Sequence, residues 1–387
     1  MEVIVVNKSL SVKSSWKSME YISFEFEKII KKLSILYDIK HITIDENYKI
    51  ENNEIIKMSS HYCHVIYYTN AINFREAINW LKEYRPNATH NIAIFGNLLS
   101  NPRRIKEYLD LLVDHKVRFL FASEAYQNFA RNLIDNLNSI VIPFSIGQSY
   151  NSGYSEKKWD FIYASRINSS KGIMTFINTF SKEEFSHFNV AIAGDFDETS
   201  YPLRGLQTNV VLFKGIFQKL PPNITYLGNL SHDELIDSFK SSACYICLSS
   251  FTSEDFGYAS LQALYNGCDL ILSHWGGLKQ YKKYKQTKLV HLSERVGHYV
   301  VSEKNFEDII RNYTSSMIER DIVQDYCREN ILLYWKNLLR SVDTKLPQSS
   351  ISALYSRYIK LYIDYNRKPF SSIKNQKIHR LIFQEFK

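Results

Sequence analysis

The sequence predicts two doubly wound α/β domains, on three observations. Short apolar runs of strand length alternate with helically spaced stretches; a polar break rich in Ser, Gly and Asn interrupts them after residue 144; and the alternation then resumes. Parallel strands need crossover connections, so strands alternating with helices imply a parallel sheet covered on both faces. The length of 387 residues suits two or three domains. With 45% hydrophobic and 23% charged residues, a disordered tail, a collagenous repeat and a disulfide scaffold are excluded.

In the first domain, residues 1–147, strands are expected at VIVV (3–6), HVIYY (64–68), NIAIF (91–95), VRFLF (117–121) and SIVIPF (139–144). Helical spacing covers 19–37, 73–84, 102–115 and 123–137. The third opens with Pro102 just inside its start, where the missing amide donor costs nothing. SIGQSYNSGYSEKK (145–158) reads as the interdomain linker. The second domain, residues 148–340, is expected to place strands at WDFIYA (159–164), NVAIAG (189–194), NVVLF (209–213), ITYLG (224–228), ACYICL (243–248) and DLILS (269–273). Its helices fit 171–181, 231–240, 257–267 and 304–316. Two such domains on a short linker are expected to face a cleft, with ligands bound outside the carboxyl ends of the strands.

Composition is uneven along the chain. Of thirteen glycines only Gly96 precedes Gly147, and none follows Gly297, so the middle of the chain is where backbone freedom is needed. Residues 331–387 hold eleven Lys and Arg against three acids, which accounts for the whole net charge of +8. Five cysteines (Cys63, Cys244, Cys247, Cys268, Cys327) and the lack of a secretory leader point to a reducing, cytoplasmic compartment. Cys244 and Cys247 form a CxxC, but inside a run that reads as a buried strand and without a second ligand pair at zinc spacing. No apolar run reaches the 18 residues of a membrane span, so membrane contact is expected to be peripheral.

Two constellations carry chemistry. In YASRINSSKGI a strand ends near Ala164, Arg166 and Lys171 follow in a polar loop, and a helix begins near Gly172. A planar fork, a mobile ammonium and the amides of a helix start suit a diphosphate, although such a loop is also compatible with plain solvated surface. In SSFTSEDFGYASLQALYNGCDLILSHWGG (249–277), Glu254 and Asp255 precede Gly257 and a helix from Tyr258. The amides of Gly257, Tyr258, Ala259 and Ser260 suit an anion, and Glu254 suits hydroxyl groups. A polyhydroxylated ligand with a phosphate satisfies both; an acidic loop that merely caps a helix is the plainer alternative.

Taken together, strand, Arg166, four residues, Lys171-Gly172, then strand, Glu254, seven residues, Gln262, then Gly276-Gly277 resembles the retaining glycosyltransferases of family 4, with the GT-B fold. The resemblance covers roughly residues 140–280. It implies that Arg166 and Lys171 bind the donor diphosphate and are catalytic with Glu254, which holds hydroxyls of the donor sugar. It also implies that Phe256, Gly257, Tyr258, Ala259 and Ser260 line the phosphate. Gln262 stands where the family has a second Glu for the ribose, and a carboxamide there offers one acceptor where a carboxylate offers two. Gln280 is a further departure, at a position where the family often has an acid.

Gly194 and Asp195 resemble the family's strand-end turn, and Gly228 with Asn229 a turn near the base. Ser231 with Glu234 reads as a capping box. Trp275 reads as a packing residue or as a surface for a ring. In the first domain, Gly96 and Asn97 are the acceptor-side candidates. His61, His64 and His90 compete for the family's donor-facing histidine, with His64 reading as core.

The tail, residues 341–387, is basic and aromatic. Ile351, Leu354, Tyr355, Tyr358, Leu361, Tyr362 and Tyr365 share one face of a helix expected over 350–366. The GT-B resemblance implies a C-terminal helix that crosses back to the first domain. Arg367, Lys368, Lys374, Lys377 and Arg380, and the lysines of KQYKKYKQTK (279–288), would equally suit an anionic membrane surface or a lipid-linked acceptor. No nucleic-acid motif accompanies them.

The expected function is metal-independent, retaining transfer of a sugar from a nucleotide diphosphate sugar to a saccharide or lipid-linked saccharide hydroxyl, in bacterial surface polysaccharide or glycoconjugate synthesis. The donor is substrate, and no separate cofactor is expected. The alternatives are a non-catalytic GT-B partner subunit and a nucleotide-sugar epimerase on the same fold.

Overall fold

The structure, a computed structural model, describes residues 1–8, 17–44, 58–68, 75–94, 109–147, 156–197, 208–250, 254–295, 298–315, 321, 323–341, 350–353, 356, 357 and 360. The chain forms two compact units, one of Met1–Gln148 with Asp325–Glu385, the other of Ser149–Gln324.

The first unit is built on strands β1 (Glu2–Lys8), β2 (Asp38–Ile44), β3 (Cys63–Tyr67), β4 (Thr89–Ile94), β5 (Val117–Phe121) and β7 (Ser139–Val141), with β6 (Ile134–Asp135) outside the main sheet. The order is β2-β1-β3-β4-β5-β7, and every pair is parallel. Every residue of β3, β4 and β5 is buried, as continuous apolar runs covered on both faces require. Helices α1 (Lys17–Leu33), α2 (Arg75–Tyr84), α3 (Leu109–Leu112) and α4 (Glu124–Leu133) connect them. Helix α1 buries Ile22, Phe26, Ile29, Ile30 and Leu33 at helical spacing. It stops at Leu33, short of the expected residue 37, where the Leu36 amide turns back to the Leu33 carbonyl at 2.9 Å.

The domain boundaries move. Ser145 and Ile146 are buried in the first unit, so the expected linker does not begin at residue 145. At the far end the chain rejoins the first unit at Asp325 instead of 341. Helix α10 (Arg328–Arg340) packs there, with Trp335 5.2 Å from the Phe26 ring and Arg328 paired with Glu25 at 2.9 Å. Ser350–Ile351 form a short strand, β16, antiparallel to β6, where helical spacing led to a helix. Pairing with an existing strand supplies those backbone groups with partners that a frayed first turn lacks. Most of the expected tail helix lies outside the described residues.

The second unit holds β8 (Trp159–Ala164), β9 (Val190–Ala193), β10 (Ile224–Gly228), β11 (Ser242–Cys247), β12 (Asp269–Ser273) and β13 (Thr287–Val290), in the all-parallel order β10-β9-β8-β11-β12-β13. An antiparallel hairpin follows, β14 (Leu292–Arg295) and β15 (His298–Val301). The helices are α5 (Ile173–Phe180), α6 (Thr208–Phe217), α7 (His232–Lys240), α8 (Tyr258–Tyr265) and α9 (Glu303–Arg311). The core includes an aromatic cluster, with Phe161 5.1 Å and Phe176 4.9 Å from Phe180.

NVVLF is not a strand. It lies in α6, where Phe213, Ile216 and Phe217 reach the core at i, i+3 and i+4; a five-residue apolar run has no period of its own until the following residues are added. Strand order reverses between β8 and β11. In doubly wound sheets the crossovers leaving such neighbours run to opposite sides of the sheet, and ligands bind outside their carboxyl ends. Among the described residues no helix is long and apolar enough to cross a membrane.

Candidate functional site

Both constellations fall at that reversal. After β8, Asn168 organises the loop, its Oδ1 accepting from the Lys171 amide at 3.1 Å and from Ser170 Oγ at 2.7 Å. Gly172 then takes the left-handed conformation (φ 74°) ahead of α5; a Cβ there would lie 2.5 Å from the Leu248 carbonyl oxygen. Only glycine lets the loop after β8 press against the end of β11 in this way. The Ser250 amide completes the junction by donating to the Ser170 carbonyl at 2.9 Å.

After β11 the chain passes through Glu254, Asp255 and Phe256 to Gly257, again left-handed (φ 73°), which opens α8. A Cβ on Gly257 would meet Leu278 Cδ2 at 2.4 Å. The loop is held from its far side. The Gly277 amide donates to the Glu254 carbonyl at 2.8 Å, and Gln280 Nε2 donates to the Phe256 carbonyl at 3.0 Å. Gln280 thus has a structural task. The first amide of α8 to bond back is that of Leu261, to the Gly257 carbonyl at 3.2 Å, so those of Tyr258, Ala259 and Ser260 precede the intrahelical ladder.

The side chains converge. Lys171 Nζ pairs with Glu254 Oε2, both side chains being nearly buried, and so joins the two loops. Burial pushes the Glu254 carboxyl up, but the Lys171 charge and hydrogen bond outweigh it and hold the group below its ordinary value. Arg166 Nη1 donates to Asp197 Oδ2 at 2.8 Å, and Asn168 Nδ2 to the same oxygen at 3.1 Å. Asp197 escaped the sequence reading; its one signal is a carboxylate two residues beyond the turn at Gly194-Asp195.

Residues 148–300 match the glycosyl transferases group 1 family. That segment contains both constellations. Among solved structures the chain is similar to sucrose-phosphate synthase from Thermosynechococcus elongatus (TM-score 0.60, 13% identity, 88% of this chain and 98% of that one). It is also similar to Anabaena Alr3699/HepE, solved in complex with UDP-glucose (0.57, 11%, 88% and 100%). A third likeness is to the GtfA/B complex (0.54, 15%, 72% of this chain), of which this chain covers 57% of the matched chain's length. The shared fold is GT-B, two Rossmann-like domains. No curated protein matches the sequence.

Within the group 1 segment, Gly194 ends β9. Its amide donates to the Gly228 carbonyl and its own carbonyl accepts from the Tyr226 hydroxyl, each at 2.8 Å. Asp195 follows it and accepts from the Ile167 amide through its carbonyl at 2.8 Å. Ser231 and Glu234 form the expected capping box at the start of α7. Gln262 is buried on α8, and its backbone carbonyl accepts from Asn266 Nδ2 at 2.8 Å. Trp275 is wholly buried, which removes it as a surface for a ring. Cys247 is buried too, its thiol pushed up to about 11 by burial first and Glu254 second, far from a reactive thiolate.

Among the described residues no three His, Cys, Asp or Glu side chains are grouped to hold an ion. In the first unit Gly96 and Asn97 lie outside the described residues. His64 and His90 are buried in β3 and β4, whereas His61 is exposed.

Proposed function

We propose that the chain is a glycosyltransferase that moves a sugar from a nucleotide diphosphate sugar to an acceptor hydroxyl with retention. The observation that carries this reading is the Lys171–Glu254 pair beside the start of α8, inside the segment that matches group 1 glycosyl transferases. Lys171 has three donors, so it can keep Glu254 and still reach a diphosphate oxygen. With Arg166 and the amides of Tyr258, Ala259 and Ser260 it would stabilise the departing diphosphate, the main protein contribution to such a transfer. This supplies cationic compensation from side chains, which is why the reading is of metal-independent transfer. Glu254, kept ionised, would accept from sugar hydroxyls and orient the anomeric carbon.

A saccharide or lipid-linked saccharide is the proposed acceptor, as in surface polysaccharide or glycoconjugate synthesis. The basic tail favours a cytoplasmic protein at an anionic membrane face. A panel of nucleotide sugars read by thermal shift tests the donor: one member should raise the melting temperature by mass action, and none doing so would sink the reading. Transfer with that donor, followed by NMR of the new anomeric proton, tests retention.

Gln262 favours a second reading, a non-catalytic partner subunit that binds a nucleotide sugar or stabilises an active transferase. Donor binding without hydrolysis or transfer to any acceptor would select it.

A further inference from the structure

Next to the ion pair stands a carboxyl that the proposed transfer does not use. Asp255 follows Glu254 directly, and its carboxyl accepts from the backbone amides of Asp255 itself and Phe256. Its Oδ2 is buried and has no hydrogen-bond partner among the described residues. A second orphan lies at the same loop. Ser260 is 1% exposed, and its Oγ likewise has no partner there, 3.3 Å from where a Cβ on Gly257 would sit. Buried polar atoms are nearly always satisfied, so two orphans at one helix start call for atoms of a ligand.

Charge decides which form Asp255 takes. Glu254 already holds the Lys171 ammonium. An ionised Asp255 would add a second buried anion against the same cation and would repel any diphosphate that approached. A neutral carboxyl has neither fault, and it presents Oδ2–H as a donor.

We infer that Asp255 stands protonated at neutral pH and donates its Oδ2–H to an anionic oxygen of the nucleotide diphosphate sugar, an inference that rests on the proposed donor reading. Burial first, and then Glu254, push this carboxyl up to about 8, with Lys171 acting in the opposite sense. The neighbours with displaced values are moved away from the interval between pH 7 and 9. Glu254 is held low with the help of Lys171 and Arg166, Cys247 stands at about 11, and burial raises Tyr163 and Tyr245 well above their ordinary value. As pH rises through about 8, Asp255 loses its proton; the donor becomes a repelling charge and affinity falls.

The test has two arms. Infrared difference spectra of the full chain at pH 7 should show a protonated carboxyl stretch that is missing from Asp255→Asn. Calorimetric titration with UDP-glucose, UDP-N-acetylglucosamine and GDP-mannose should give, for the member that binds, an affinity that falls about fivefold to tenfold between pH 7 and 9. Asp255→Asn, which donates at every pH, should flatten that fall apart from the ligand's own titration. Asp255→Ala should weaken binding at pH 7, with Asn restoring part of the loss.

An absent infrared band, or the same pH fall in wild type and Asn variant, overturns the inference while leaving the donor site standing. If no nucleotide sugar binds at any pH, the donor reading itself fails and takes this inference with it.

Discussion

Lys171 Nζ and Glu254 Oε2 form a buried ion pair across the strand-order reversal, between the loop that leaves β8 and the loop that leaves β11. Neither side chain is more than 12% exposed.

Removing one partner leaves the other as an uncompensated buried charge, which typically costs about 3–5 kcal/mol. Lys171→Met and Glu254→Gln should each lower stability, measured by denaturant unfolding, and the double variant should recover much of the loss. Transfer should stay depressed by about 100-fold or more in all three. Fully additive stability losses would show that the pair is not coupled.

Asp197 accepts from Arg166 and makes no proposed contact with the donor itself. Without the Asp197 charge the guanidinium is held less firmly in that direction. Asp197→Asn should therefore raise KM for the donor by about tenfold and leave kcat within about threefold. A selective loss of kcat would assign Asp197 to the chemical step.

Gln262→Glu restores a carboxylate at the position that resembles the ribose site. Two charge-assisted acceptors in place of one should tighten nucleotide-sugar binding by about tenfold, read by calorimetry. No change would place the ribose elsewhere.

His90 makes the first unit sensitive to acid. Burial, then Lys82, depress its pKa to about 3, while Nδ1 meets the Tyr67 hydroxyl at 2.9 Å. In the unfolded chain the group titrates near about 6.5. Between those values the unfolded state binds the extra proton, so stability present above about 6.5 is lost as pH falls, at up to about 1.4 kcal/mol per pH unit. Urea midpoints at pH 7 and 5, read by hydrogen exchange of β4 amides, should fall less in His90→Gln. Equal falls would contradict the assignment.

The buried central strands were the legible ones. VRFLF, WDFIYA and DLILS begin and end where their apolar runs do. Strands β2 (DIKHITI) and β13 (TKLV) went unread because polar residues interrupt their runs, whereas β10 (ITYLG), equally at a sheet edge, keeps an apolar run that can be read. Helix α10 went unread for a related reason: RENILLYWKNLLR leaves Leu333 and Tyr334 exposed, which blurs its buried face.

At the candidate site, motif order led to the segments that the structure brings together, the loop of Arg166 and Lys171 and the loop of Glu254 that opens α8. The pairing of Arg166 with Asp197, 31 residues away, was not legible, because nothing local in sequence specifies it. The partnerless oxygens of Asp255 and Ser260 were equally hidden, since burial of a single atom is a property of the folded chain.

The exit from the first unit and the return to it are stitched together. The Ile146 amide donates to the Tyr326 carbonyl at 3.0 Å, and Arg328 Nη2 donates to the Gly147 carbonyl at 3.0 Å while its guanidinium holds Glu25. The whole group 1 segment is therefore looped out from one clasped point. Cutting out residues 149–324 would leave two segments that Ile146 and Tyr326 already hold side by side. In that sense the gene encodes one host domain with a removable guest.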